Sequence, residues 1–256
     1  MPLIETQHGA IWYADHREPT AHLPVTLLVH GAGGSHLDWS AELRRLPEAN
    51  AVVPDLPGHG RSLGASRQSI GGYAADMVAL LDALKLDRAV VTGHSMGSAV
   101  ALTMALHYPD RVMGLILIGG GAKLGVHPDL LNVQADKEKA VEMIINGYWG
   151  AAPEYDQLRR LSRKRLMETP AEVLHNDYTA CNAFDVRGQL ERIRQPALVI
   201  GATDDPMTPL KYSQYLRDNL PNAQLVTVQG AQHMMMLQQP QFVADAVRNW
   251  LTGLHG

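Results

Sequence analysis

The run Gly93-His94-Ser95-Met96-Gly97 sets a hydroxyl between two glycines, where β-branched residues give way to a helix-forming stretch. A serine on a sharp strand-to-helix turn needs neighbours without bulk, and the turn lifts its Oγ clear of the sheet. The helix behind it points its amino end at the same place, which favours developing negative charge there. A serine so placed could simply cap the helix; to act as a nucleophile it needs a base, and the base needs an orienting acid. Two later loops supply both. "ATDDPMTP" carries Asp204 and Asp205, and "QGAQHMMML" carries His233. The order serine, acid, histidine describes acyl transfer, with Ser95 attacking a carbonyl and His233 as general base.

Such a reaction needs donors for the oxyanion. "LLVHGAGGSHLDW" runs out of a strand into His30, Gly31, Ala32, Gly33 and Gly34, where small residues let backbone N–H groups approach an oxygen closely. The N–H groups of Ala32 and Met96 are the candidate oxyanion hole. Gly31-x-Gly33 also begins a dinucleotide-binding fingerprint, but His36 stands at its third glycine position, so no nucleotide is expected.

These groups can meet only if one scaffold aims them at one place. Apolar runs at 25–29, 51–54, 89–92, 115–118, 197–200 and 225–228 read as strands buried on both faces, hence parallel. Helical patterns alternate with them. Trp39, Leu43 and Leu46 share one face, as do Ile70, Tyr73, Met77, Leu80 and Leu84; Phe242, Ala246, Val247 and Trp250 follow Pro240 at helical spacing. Parallel strands place all their carboxyl ends on one edge, which gathers Ser95, the aspartates and His233. "AIWYADH" reads as part of a hairpin at the sheet edge. Residues 123–195 hold helical patterns without a convincing strand, too long for a βα loop, and predict a helical lid inserted into a core of residues 1–122 and 196–256. Met143, Tyr148, Trp149 and the Met234–Met236 run are candidates to line a pocket beneath it.

With 256 residues, 22 basic and 26 acidic, the chain has a formal net charge of -4 and no basic surplus for nucleic acid or an anionic membrane. The opening residues lack the pattern of a signal peptide, and a cytoplasmic location is expected. The longest apolar run, 112–122, falls short of the roughly 20 residues of a membrane span. One cysteine, Cys181, excludes an internal disulfide and reads as a buried spectator thiol. The twelve histidines show no zinc spacing, so neither metal nor cofactor is expected.

Taken together, "HGAGGSHLDW", "PDLPGHGRS", "GHSMGSAVALTMALHYPDRV", "DDPMTP" and "GAQHMMMLQQP" resemble, in order, the blocks of the α/β-hydrolase superfamily, in its lid-bearing branch of serine esterases, lactonases and carbon–carbon bond hydrolases. The resemblance covers nearly the whole chain. It implies an α/β fold with a mostly parallel eight-stranded sheet flanked by helices, Ser95 as nucleophile, His233 as base and a carboxylate after "ALVIG" as acid. Counting back four from Pro209 gives Asp205; counting forward three from Gly201 gives Asp204. Asp205 is preferred because Pro206 would hold it extended. Ser98 departs from the family, which often has a second glycine there. Asp55, His59, His30 and His94 read as structural supports. The expected substrate is a small-molecule ester with a small to medium neutral acyl chain. Carbon–carbon bond, lactone or thioester cleavage on the same triad is the alternative, as is a slow-turnover ligand receptor.

Overall fold

In the computed structural model, which describes residues 3–18, 20–46 and 49–254, the valine-, isoleucine- and leucine-rich runs become strands of one sheet. In chain order the elements are β1 (Leu3–Thr6), β2 (Gly9–His16), β3 (Val25–Val29), α1 (Ala41–Arg44), β4 (Asn50–Pro54), α2 (Ile70–Ala83), β5 (Ala89–His94), α3 (Met96–His107) and β6 (Val112–Ile118). Helices α4 (Pro128–Leu131), α5 (Lys137–Trp149), α6 (Asp156–Glu168) and α7 (Ala171–Ala183) follow. The chain then returns through β7 (Ala197–Ala202), α8 (Leu210–Asn219), β8 (Ala223–Val228), α9 (Met235–Gln238) and α10 (Pro240–Gly253).

The strand order is β1-β2-β4-β3-β5-β6-β7-β8. β1 and β2 form the hairpin at one edge, β2 joins β4 antiparallel, and every pair from β4 onward is parallel. β3, β5, β6 and β7 are buried almost throughout, as strands covered on both faces must be. The order also fixes where a site can form. β3 connects toward β4 on one side and β5 toward β6 on the other, although β3 and β5 are neighbours. Their carboxyl ends therefore open a crevice at a topological switch point, and out of it lead the Gly31–Gly34 loop and the Ser95 turn.

Three local expectations are corrected. β8 is only half-buried, because no strand lies beyond it. Trp39, Leu43 and Leu46 are all buried, yet only Leu43 belongs to a helix: α1 is a single turn, capped by Ser40 Oγ accepting from the Leu43 N–H. On α10 the inward face is Val243, Ala244, Val247, Trp250 and Leu251, while Phe242 is 48 % exposed. Two overlapping stripes fit that helix, and the position of the sheet decides between them.

Between β6 and β7 the chain carries α4 to α7 and no named strand. The polar-apolar pattern after residue 153 divides at Thr169-Pro170, where Pro170 caps the start of α7. The two ends of this helical segment meet: Lys123 and Asp185 form an antiparallel bridge, and the Val186 N–H donates to Ala122 O at 2.8 Å. Among the described residues no helix is long and apolar enough to cross a membrane.

Candidate active site

Among the described residues Ser95 is one of two non-glycine residues with positive φ, at φ 52° and ψ -115°. A side chain in that region is strained, and here the strain is held by the junction of β5 and α3. The Ser95 N–H donates to Ile118 O at 2.9 Å, tying the turn to β6. Gly93 and Gly97 permit the crossing: a Cβ on Gly93 would lie 2.0 Å from Gly97 O, and one on Gly97 2.0 Å from Val29 O. Ser98, the departure from the family pattern, donates its hydroxyl to Gly93 O at 2.8 Å and so braces the same turn.

The loop after β7 brings Asp205, not Asp204, to His233. Asp205 Oδ2 lies 2.9 Å from His233 Nδ1, with both side chains buried; Asp204 is exposed. Asp205 Oδ1 accepts from the N–H groups of Met207 at 2.8 Å and Thr208 at 2.9 Å. Thr208 Oγ1 sits 2.7 Å from Asp205 Oδ2, 2.8 Å from Gly119 O and 3.3 Å from His233 Nδ1. Burial works against the Asp205 charge, but His233 and the Thr208 donors outweigh it and hold its pKa below the ordinary aspartate range. His94 holds the loop that carries His233. Its Nε2 lies 3.0 Å from His233 O, so Nε2 must carry the proton, and burial first, then His233, push its pKa down to about 3.

Opposite lies the loop after β3. His30 Nδ1 donates to Gly31 O at 2.8 Å while its Nε2 accepts the Leu56 N–H at 3.0 Å; burial and the neighbouring His59 lower its pKa to about 4, leaving a neutral ring of fixed tautomer. Met96 opens helix α3, where the first N–H groups have no partner within the helix, and among the described residues the loop bonds include none donated by the Ala32 N–H. Ala32 and Ser95 both face a cavity of about 440 Å³ lined by Met143, Tyr148, Tyr178 and Cys181 of the helical segment between β6 and β7 and by Met207 and Tyr212 beyond it. Trp149 does not reach it; one position past Tyr148 on α5, it turns inward and donates Nε1–H to Ser162 Oγ at 3.3 Å. Met234, Met235 and Met236 are core residues. Burial pushes the Cys181 thiol up, which keeps it protonated. No group of three His, Cys, Asp or Glu side chains able to hold a metal occurs among the described residues.

The family model of the alpha/beta hydrolase fold matches residues 24–240. The chain belongs to this family. As an α/β hydrolase it is similar to the protein named carbamate hydrolase RutD of Caulobacter segnis, 31 % identical over 95 % of this chain and 97 % of that one. An enol-lactonase from Burkholderia xenovorans LB400 shares its fold with a TM-score of 0.91 at 21 % identity, over 98 % of this chain and 100 % of the other. A thermophilic esterase matches with a TM-score of 0.87 at 29 % identity, over 99 % and 97 %.

Two parts of this hydrolase escaped the sequence. Thr208 lies in plain view in "DDPMTP", but nothing local says that its hydroxyl bridges Asp205 and Gly119. The second part is Asp177 on α7, wholly buried. Its Oδ2 accepts from the Gly33 N–H at 2.8 Å and from His59 Nε2 at 2.7 Å, and Oδ1 accepts from the Tyr73 hydroxyl. The available signal was a carboxylate in register with Leu174, Tyr178 and Cys181 on an otherwise apolar stripe. His59 Nδ1 faces Pro57 O at 3.0 Å, so both ring nitrogens meet oxygens that accept, and the ring is an imidazolium. Burial opposes that charge, yet Asp177 outweighs it and raises the His59 pKa above the ordinary histidine range.

A histidine raised on folding stabilises fully below its unfolded pKa, and that contribution fades as pH rises through the folded one. The stability advantage of the native protein over His59→Gln should therefore be largest near about pH 6 and shrink toward about pH 9. Thermal unfolding of both proteins across that range checks it; a gap that widens with pH would contradict the charged ring.

Proposed function

We propose that this hydrolase cleaves carboxylic esters of small to medium neutral acyl chains through an acyl-enzyme on Ser95. The observation that carries the reading is the Ser95 turn opening on an apolar cavity, with the buried Asp205–His233 pair behind it. Ser95 Oγ attacks the ester carbonyl while His233 takes its proton and Asp205 stabilises the imidazolium. The Ala32 and Met96 N–H groups receive the oxyanion. His233 then protonates the leaving alcohol, and water activated by the same base releases the acid. The insertion selects the substrate as a lid, with Met143 and Tyr148 in its wall.

The name of the Caulobacter relative suggests a carbamate, and the esterase match an ester. Among the described residues no Lys, Arg, Asp or Glu lines the cavity and His127 is its one cation-forming side chain, so a free carbamate anion would meet little fixed counter-charge there. A neutral ester avoids that penalty, as does a neutral lactone, which is an internal ester and follows the same steps.

The test is nitrophenol release from p-nitrophenyl esters of graded acyl length by native protein and Ser95→Ala. Repeated turnover is expected, lost by at least about 10³-fold in the variant, with an optimum among the shorter chains. Equal rates in the two proteins would remove Ser95 as nucleophile, and binding without turnover would favour the receptor alternative.

A further inference from the structure

The direction of the Ala32 N–H depends on the two peptides that flank Ala32. In the upstream peptide, Gly31 O accepts from His30 Nδ1 at 2.8 Å and from the Gly34 N–H at 3.1 Å. A planar trans peptide turns its N–H away from its carbonyl, so these core contacts aim the Ala32 N–H outward. The downstream peptide is held at both ends by the insertion. Ala32 O accepts from the Tyr148 hydroxyl at 3.4 Å, and the Gly33 N–H donates to Asp177 Oδ2 at 2.8 Å. Gly33 itself has φ 64°, and a Cβ there would lie 2.4 Å from Leu174 Cδ2 and 3.0 Å from Leu166 Cδ2. Helices α6 and α7 thus press on the residue that Asp177 grips.

We propose that Asp177, with Tyr148 as its counterpart, is a positioning residue for the oxyanion hole, an inference that rests on the Ser95 chemistry proposed above. The insertion then serves the chemical step as well as substrate selection. Asp177 suits the task because it cannot relax: His59 and Tyr73, from two other core segments, hold its two oxygens and no solvent reaches it. An amide cannot replace it. In Asp177→Asn, an amide oxygen facing Gly33 and His59 would leave the NH₂ against the Tyr73 hydroxyl, which would lose its acceptor. The reverse orientation would point the NH₂ at the Gly33 N–H.

The neighbouring Asn176 provides the control. It accepts from Gln68 Nε2 at 3.1 Å and donates to Ser66 Oγ at 3.0 Å, fastening the same helix through bonds that do not involve the Gly31–Gly34 loop. The experiment compares native protein, Asp177→Asn and Asn176→Ala in four measurements: kcat and KM on a p-nitrophenyl ester, affinity for an alkyl boronic acid, thermal stability, and amide exchange at Gly33. A boronic acid forms a tetrahedral anionic adduct with an active serine and reports transition-state binding. Asp177→Asn is expected to lower kcat by roughly 10- to 100-fold, weaken the boronic acid by a similar factor, leave KM nearly unchanged and speed Gly33 exchange. Asn176→Ala is expected to lower the melting temperature and keep kcat.

Equal kcat losses in both variants would show general loosening and overturn the proposal, as would faster Gly33 exchange with unchanged kcat. Should Asp177→Asn fail to fold, Tyr148→Phe removes the other restraint; the proposal requires kcat and boronic acid affinity to fall together by roughly 2- to 10-fold, and no change in either sinks it. Turnover surviving in Ser95→Ala would instead defeat the serine mechanism, while Gly33 exchange still reports whether Asp177 holds the loop.

Discussion

Asp205→Asn should reduce kcat by about 10⁴-fold while leaving the fold intact. The size follows from how the loop would orient the amide. Asp205 Oδ1 accepts two backbone N–H groups, from Met207 and Thr208, and an amide nitrogen there would meet two donors. The amide oxygen must therefore take the Oδ1 position and the NH₂ the Oδ2 position, facing His233 Nδ1. His233 then accepts at Nδ1 and carries its proton on Nε2, the nitrogen that must receive the Ser95 proton. The base is present but in the wrong tautomer. Asp204→Asn, at an exposed position, should leave kcat within about twofold. Steady-state kinetics of the two variants decide the matter, and a larger loss for Asp204→Asn would reassign the acid.

Gly97→Ala should be, with Gly93→Ala, among the most damaging single methyl additions in the molecule. The added Cβ would sit 2.0 Å from Val29 O, 2.8 Å from Val29 C and 2.9 Å from His30 O. These are backbone atoms at the end of β3, so no rotamer change relieves the clash, and the strand must move away from α3. That movement separates the Ala32 loop from Ser95. A loss on the order of 3 kcal/mol is expected, read as a drop in melting temperature of roughly 6–12 °C, with activity down at least about 10²-fold. Gly71→Ala is the reference. In helix α2 a Cβ at Gly71 meets nothing within 4 Å, and the substitution should stabilise by about 0.5–1 kcal/mol. Comparable melting temperatures for the two variants would show that the β3–α3 crossing yields more easily than its backbone contacts imply.

The contrast between these glycines marks what a sequence can disclose. Both are glycines near a helix start, and only the path of β3 beneath α3 makes Gly97 irreplaceable. The strands were legible because burial on both faces leaves runs of branched residues, and the serine, acid, histidine order because parallel strands share a carboxyl edge. The acid was narrowed to two neighbours. Pro206 pointed to Asp205, but which carboxylate reaches His233 is a matter of burial after the loop closes. On α10 the apolar residues outnumber the positions the sheet can cover, so periodicity alone could not exclude Phe242. The link from His59 to Asp177 was the least legible, since 118 residues separate the partners and each looks ordinary in its own segment. A buried carboxylate on an apolar helical stripe is the one local trace of it.

The bridge between Lys123 and Asp185, closed by Val186 on Ala122, gives the molecule the geometry of a cassette. The chain leaves β6 and returns toward β7 through one closed pair of backbone contacts, so the piece between begins and ends at the same point. Exchanging that piece would not be free of obligation. A replacement that brought only a new pocket wall would leave the Gly33 N–H and the His59 ring facing each other across an empty acceptor position. Any transplanted segment must therefore carry a carboxylate to that spot, so the segment and the two core groups it satisfies are exchangeable only together.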